Sequence, residues 1–192
     1  GGRYAGVNEK GEIMIWKEGI VGGEKKLASQ KNDKDRVPLG HGMPRWEMSW
    51  GHTVTYKNFD LSLFFRGKFD YKILNLYQMY YGLTAQPKVN LIRDAYTRNA
   101  EIKGEKQIVD YFLENGDYFK LDNITLGYTP KVNCKYISNL RIYATARNVF
   151  TLTKYSGIDP AGVNIVGLEP GIGNLDVYPS TTNLSFGIQI SY

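Results

Sequence analysis

The chain has 192 residues, with 24 Lys and Arg against 19 Asp and Glu, for a formal net charge of +5. That length suits one domain or two small ones, and an aromatic content of 14% with 21 Gly excludes a disordered chain and argues against a helical bundle. No apolar run approaches the ~20 residues of a membrane-spanning helix, Ile13-Met14-Ile15-Trp16 being about the longest, whereas a membrane β-barrel stays open because its strands alternate in polarity.

Gly1-Gly2-Arg3-Tyr4 is not a basic region followed by an apolar segment, so no export signal is read there. The expectation is a cytoplasmic protein or a chain whose beginning is missing. Arg3–Val7 and Glu12–Trp16 flank Asn8-Glu9-Lys10-Gly11 and predict a small hairpin. Gly22 to Arg36 is polar and is expected to be mobile. Its lysines and Arg36 are interspersed with Glu24, Asp33 and Asp35, which describes a solvated loop rather than a phosphate track, so no nucleic-acid partner is expected. Asp33-Lys34-Asp35 lacks the spaced oxygens and terminal Glu of a calcium loop. Gly40-His41-Gly42-Met43-Pro44-Arg45 lacks the Lys-Ser/Thr of a phosphate loop and reads as a turn.

The strongest local signal is a hairpin over 46–69. Trp46, Met48, Trp50, Val54 and Tyr56 share one face of the first strand, and Phe59, Leu61, Leu63 and Phe65 one face of the second. With Lys57-Asn58 as a two-residue loop, Tyr56 pairs with Phe59, Val54 with Leu61 and Trp50 with Phe65. Asn58 is expected to supply the positive φ. Every apolar residue then falls on one side, which fixes the register. Glu47, Ser49, Thr53, Thr55, Asp60, Ser62, Arg66 and Lys68 fall on the other, and His52 lies on the apolar parity.

A long excursion follows, over 70–117. Ile73, Leu74, Leu76, Tyr77, Tyr80 and Tyr81 predict one short amphipathic helix, and Ile108, Val109, Phe112 and Leu113 another. Tyrosines crowd this stretch: Tyr77, Tyr80, Tyr81, Tyr96, Tyr111 and Tyr118. Flat rings with a polar tip suit sugar faces and peptide backbones, and they equally suit packing one loop helix on another. Tyr77, Tyr80, Tyr81 and Tyr96 are the candidates for substrate contact.

Segment 118–152 reads as two strands. Within Tyr118 to Tyr128 the apolar parity slips between Leu121 and Ile124, which predicts a bulge or a bend near Asp122-Asn123. The short link Lys131 to Ser138 contains the one cysteine, Cys134, with no helper residue beside it. Leu140, Ile142, Ala144, Ala146, Phe150 and Leu152 then share a face opposite Arg141, Tyr143, Thr145, Arg147 and Thr151. A second long loop spans 153–182. The final strand, 183–192, alternates Leu184, Phe186, Ile188, Ile190 and Tyr192 with Ser185, Gly187, Gln189 and Ser191.

Strands of roughly 10–14 residues exceed the usual ~5–6 and match the ~9–11 needed to cross a bilayer at a tilt. Short links alternate with long loops, as in outer-membrane barrels. Trp46, Trp50, Tyr56 and Tyr192 suit the aromatic girdles of such a barrel. About five or six strands cannot close one, for which about eight is the minimum, so the chain is expected to be a fragment.

Several blocks, taken in order, resemble the end of SusC/RagA-type TonB-linked outer-membrane receptors. They are Tyr56-Lys57-Asn58-Phe59-Asp60-Leu61-Ser62 with Arg66-Gly67, Glu114-Asn115-Gly116-Asp117-Tyr118, Leu121 to Tyr128, Leu140 to Ala144, Arg147 to Thr151, Tyr155 to Pro160, Tyr178-Pro179 and Ser185 to Ile188. The resemblance implies an all-β fold, the C-terminal strands of a 22-stranded antiparallel transmembrane barrel with long extracellular loops carrying short helices. It divides the chain into an outer strand end and loop (1–45), a hairpin (46–69), an extracellular loop (70–117), two strands with a periplasmic link (118–152), an extracellular loop (153–182) and the last strand (183–192).

It further implies a TonB-dependent importer of oligosaccharides or peptides in the outer membrane of a Bacteroidota-type Gram-negative cell. The plug, the rest of the barrel and the TonB-engaging part would lie outside this chain. A SusD-like surface lipoprotein would be the partner, and Tyr192 the barrel-assembly signal. No cofactor, metal or catalytic residue is expected: Glu47 and Asp60 are the nearest approach to a carboxylate pair, and scattered lining charges explain them equally well. The alternatives are a soluble β-sandwich carbohydrate-binding module and a glycan-active enzyme domain.

Overall fold

A computed structural model describes residues 1–86, 88–133 and 135–192. The strands in chain order are β1 (Tyr4–Val7), β2 (Ile13–Trp16), β3 (Lys25–Leu27), β4 (Trp46–Tyr56), β5 (Phe59–Phe69), β6 (Lys72–Leu74), β7 (Leu113–Asn115), β8 (Tyr118–Tyr128), β9 (Asn139–Thr153) and β10 (Asn183–Ser191). Among the described residues, one α-helix, α1 (Leu76–Tyr81), follows β6, and six short 3-10 turns punctuate the rest. The chain divides into two compact units. A sheet unit comprises Arg45–Phe69, Asp117–Thr153 and Pro179–Tyr192, and a loop unit comprises Gly1–Pro44, Asp70–Gly116 and Lys154–Tyr178.

The sheet unit is one antiparallel meander in the order β10-β9-β8-β5-β4. The hairpin register is the expected one, Tyr56 opposite Phe59, Val54 opposite Leu61 and Trp50 opposite Phe65. Its turn differs in one detail. Lys57, not Asn58, carries the positive φ of 54°; the non-Gly penalty there is of order 1 kcal/mol, small against eleven paired residues.

Following the pairing across the sheet keeps each side largely of one kind, with His52 beside Leu63 on the apolar side and Phe64 beside Asn123 on the polar side. One apolar row runs Tyr56, Phe59, Tyr128, Ile142, Ile188 and another Val54, Leu61, Leu126, Ala144, Phe186. Thr53, Ser62, Thr125, Thr145 and Ser185 form a row on the opposite side.

The parity slip in β8 is a bulge: Leu121 pairs with Phe150 and Asn123 with Arg147, skipping Asp122. On β9 the same step skips Asn148 and Val149, and Asn148 takes a φ of 53°, a conformation Asn tolerates better than most residues. Asn148 is anchored to the stretch before β10, its Nδ2 donating to the Thr181 carbonyl at 3.1 Å and its carbonyl accepting from the Thr182 hydroxyl at 2.8 Å.

The loop unit has its own core. Ile13, Ile15, Ala28, Met79, Leu83, Ile102, Val109 and Phe112 form one buried cluster, and Tyr71, Ile73, Tyr155 and Val163 a second. The expected hairpin β1–β2 is present, with Tyr4 opposite Ile15. Asn8 shapes its turn: Oδ1 accepts from the Lys10 and Glu12 amides at 3.0 and 2.8 Å, and Gly11 takes a positive φ of 77°.

Gly22 to Arg36 carries regular structure: β3 adds to β2, and a 3-10 turn over Asp33–Asp35 is held by a reciprocal cap between Asn32 and Asp35. Two expectations are corrected here. The helix expected from Ile73 begins at Leu76, because Asn75 caps it by accepting from the Gln78 amide at 3.1 Å. The second expected helix is a single 3-10 turn, Asp110–Phe112, leading into β7. The cause is shared: Ile73 and Leu74 pair with Glu114 and Leu113, so a strand pair takes residues whose spacing also suited helices. Cys134 lies outside the described residues.

Candidate functional site

The sheet unit presents two chemically opposite faces. On the apolar face the side chains are largely exposed, including Trp46 at 70%, Tyr56 at 67%, Ile188 at 66% and Phe186 at 83%. Aromatic rings pack along it, Trp50 stacked on Phe65 at 5.3 Å, Phe65 stacked on Phe119 at 5.4 Å and Phe59 tilted against Tyr128 at 4.7 Å between centroids. His52 sits on this face beside Trp50, with ring centroids 5.8 Å apart.

The polar face is laced by ion pairs. Glu47 meets Lys68 at 3.1 Å, Arg66 meets Asp122 at 3.1 Å, and the buried Lys120 lies 3.9 Å from Asp122. Asp60 receives two bonds from Arg141, Nε to Oδ1 at 3.0 Å and Nη2 to Oδ2 at 2.5 Å. The Thr125 and Thr145 hydroxyls share a hydrogen bond of 2.9 Å. Glu47 and Asp60 are thus each tied to a separate cation, and they do not form a carboxylate pair. Among the described residues, no three His, Cys, Asp or Glu side chains converge as metal ligands.

Within the loop unit the candidate tyrosines do not form one site. Tyr77 and Tyr81 are an edge-to-face pair on α1, 5.2 Å apart and partly exposed. Tyr80 packs on the larger core cluster, with the Lys106 ammonium 4.5 Å over its ring. Tyr111 packs on Tyr4 at 4.8 Å and donates to Asn99 Oδ1 at 2.8 Å. Tyr96, after the 3-10 turn Arg93–Ala95, is 67% exposed and is the one most open to a ligand. In the sheet unit, Tyr192 follows β10 fully exposed, and Tyr118 is buried.

A polar network that composition and periodicity did not reveal fixes the loop unit. The buried Asn75 donates through Nδ2 to Glu114 Oε1 at 3.2 Å and to Ser156 Oγ at 3.1 Å. Glu114 also accepts from the Ser156 amide and hydroxyl, both at 2.7 Å. Gln78 donates to Asp94 at 2.6 Å, and the buried Asn99 donates to the Gly82 carbonyl at 2.8 Å. Residues more than forty apart in sequence are thereby joined without exposing the buried amides. Burial also raises the Tyr155 hydroxyl well above the usual phenol range.

Asp35 is the other buried anchor, accepting from the Asn32 and Glu18 amides at 2.8 and 2.9 Å and pairing with Lys26. The Asn32 and Glu18 amides, with Lys26, lower its carboxyl to about 2.

No family model matches the chain. Among curated proteins it is similar to the TonB-dependent receptor P3 of Formosa agariphila, 26% identical across 82% of this chain and 17% of that receptor. It is likewise similar to the TonB-dependent receptor SusC of Bacteroides thetaiotaomicron, 28% identical across 72% of this chain and 14% of that one. The chain therefore spans about a sixth of the length of the curated relatives it matches. Among solved structures, the RagAB peptide transporter shares its fold over the whole chain, with a TM-score of 0.78 and 23% identity over 22% of its own length. The RagAB peptide importer in its closed-closed state gives a TM-score of 0.75 at 22% identity.

Proposed function

From this likeness to TonB-dependent receptors over most of the chain, we propose that these residues are the C-terminal part of a SusC/RagA-type importer in the outer membrane of a Bacteroidota-type cell. The apolar face meets lipid and the polar face lines the interior of a 22-stranded barrel completed by residues outside this chain. The 57–58 and 129–138 connections face the periplasm. The long loops 70–117 and 153–182 are extracellular, where they contact substrate and a SusD-like lipoprotein. Oligosaccharides or peptides are the cargo, a plug fills the barrel, and TonB supplies the energy. Tyr192 serves as the assembly signal. A sugar or peptide moved without bond cleavage calls for no catalytic group, in keeping with relatives named as receptors and a transporter.

The observation that carries this reading is the exposed apolar face, continuous across five registered strands. A soluble β-sandwich would seal that face beneath a second sheet. The dimensions agree as well. Trp46 and Tyr56 lie ten residues apart at the two ends of β4, ~33 Å along a strand, which a tilt of ~40° reduces to the ~25 Å height of an outer-membrane apolar band.

Deletion of the intact receptor tests the function. Energised uptake of at least one oligosaccharide or peptide from a defined panel should be lost, and an uncoupler of the inner-membrane proton gradient should reproduce the loss. Unchanged uptake across the panel would refute the proposal.

A further inference from the structure

Building on the reading that the short connections face the periplasm, we propose that this end of the sheet unit holds the headgroup of an anionic phospholipid, with phosphatidylglycerol the chemistry it fits. Lys57, Lys131 and Lys135 are all exposed there, and none makes an ion pair among the described residues. The one carboxylate in 52–60 and 127–142 is Asp60, which Arg141 already engages through two bonds. This end therefore carries an excess of positive side-chain charge over side-chain carboxylates. At the other end, acids and bases meet as Glu47–Lys68 and Arg66–Asp122 pairs.

The lysines border a shaped space. The Thr129 amide donates to the Asn58 carbonyl at 2.8 Å and holds the two connections together. Between them lies a cleft of about 430 Å³, lined by Lys57, Lys131, Asn58, Ser138 and Asn139 among others, with Asp60, already held by Arg141, also on its wall. Two ammonium groups, a hydroxyl and side-chain amides are donors suited to a phosphodiester and a glycerol hydroxyl.

Placement relative to lipid comes from Lys57. Its ammonium lies 5.2 Å from the ring centroid of Tyr56, an exposed residue of the apolar face. Tyr56 begins the row Tyr56, Phe59, Tyr128, an aromatic band of the kind that sits at headgroup depth. The charge thus stands at the rim of the apolar face, where it attracts an anionic headgroup. Zwitterionic phosphatidylethanolamine, with no net charge, gains less.

The test uses the intact receptor with its partner, equilibrated in micelles containing phosphatidylglycerol and phosphatidylethanolamine in equal amounts. Native mass spectrometry then reads the retained lipids. In the triple variant K57Q/K131Q/K135Q, the retained ratio of phosphatidylglycerol to phosphatidylethanolamine should fall about fivefold or more, with the heat-modifiable gel shift of the folded barrel unchanged. An unchanged ratio would overturn the proposal, as would displacement of the lipid by millimolar glycerol phosphate, which would mark a small-anion site instead. An Asn133→Cys variant in a Cys134→Ser background keeps the two readings separate. Labelling by an impermeant maleimide on intact cells would refute the assigned sidedness, whereas protection together with an unchanged lipid ratio would refute the lipid site alone.

Discussion

Arg141 on β9 reaches Asp60 on β5 by crossing β8 at Gly127, the residue paired with Asp60 on one side and Tyr143 on the other. A Cβ at 127 would collide with both the carboxylate and the guanidinium. The row continues outward: Arg141 lies 5.0 Å from the Tyr143 ring, and that ring covers Gly187 on β10 closely enough to exclude a side chain there. Two glycines thus let long side chains tie four strands together laterally.

Gly127→Val should therefore act as a double disruption. The new side chain displaces Arg141, and Asp60 loses both of its bonds. A mutant cycle with Asp60→Asn and Arg141→Gln should give a coupling of about 1 kcal/mol, since both side chains are one-quarter exposed and solvent weakens the pair. Urea midpoints of the intact receptor in detergent measure it. Additive single variants would show that the pair contributes nothing to stability.

The two faces predict opposite tolerance to charge. Ile142→Arg and Ile188→Arg place a guanidinium on the exposed apolar side and should reduce the assembled fraction, at a cost that is about 2–4 kcal/mol at midplane depth and smaller toward the interfaces. Thr145→Arg and Gln189→Arg stand on the other side of the same two strands and should assemble normally. Comparable assembly for all four variants would defeat the assigned facing.

Why the sheet was legible in sequence while the loop unit was only partly so follows from parity. A one-residue slip flips every side chain, so the hairpin 46–69 admits a single register and that register is the one observed. The β8 bulge was visible because it skips one residue and reverses parity. The β9 bulge skips two, Asn148 and Val149, and leaves parity intact, so the alternation from Ala146 to Phe150 hid it. In the loop unit the order rests on Asn75, Gln78, Asn99 and Glu114, whose partners lie far along the chain. Local spacing carries no trace of such bonds, nor of the distant β7 partner that makes Ile73 and Leu74 a strand. The tyrosines illustrate the same limit, since contact with Tyr4 and Lys106 turns Tyr111 and Tyr80 into packing residues.

Glu114 is the keystone of that polar network. Glu114→Ala removes the acceptor for both Ser156 donors and for Asn75. The expected cost is about 1.5–3 kcal/mol, the range for hydrogen bonds to a charged group. It should appear as faster amide exchange in 154–157 and in α1, with β4–β5 unaffected. Uniform exchange throughout the loop unit would show that the network is dispensable.

Asp35 predicts an acid-sensitive step. Its carboxyl is lowered from 3.8 to about 2, chiefly by the Asn32 amide, then by the Glu18 amide and Lys26. A depressed carboxylate stabilises the fold above its unfolded value, and that contribution is lost as pH falls from ~4 through ~2. Pepsin cleavage within 17–36, measured against a control segment in the same chain, should therefore rise over that window. Asp35→Asn should be cut readily throughout it. Equal pH dependence in both proteins would remove Asp35 as the cause.

Tyr96 and Tyr80 separate binding from packing among the loop tyrosines. Tyr96 is 67% exposed, whereas Tyr80 lies against the core beneath Lys106. An aromatic face stacked on a sugar ring or peptide plane contributes about 0.5–1.5 kcal/mol beyond its buried area. Tyr96→Ala should accordingly weaken cargo binding by the intact receptor about 2–10-fold without changing its urea midpoint. Tyr80→Ala should lower the midpoint and affect binding only through that loss, and Tyr77→Ala, which opens the edge-to-face pair with Tyr81, should fall between the two. Wild-type affinity in both Tyr96→Ala and Tyr77→Ala would take the substrate-contact role away from this stretch.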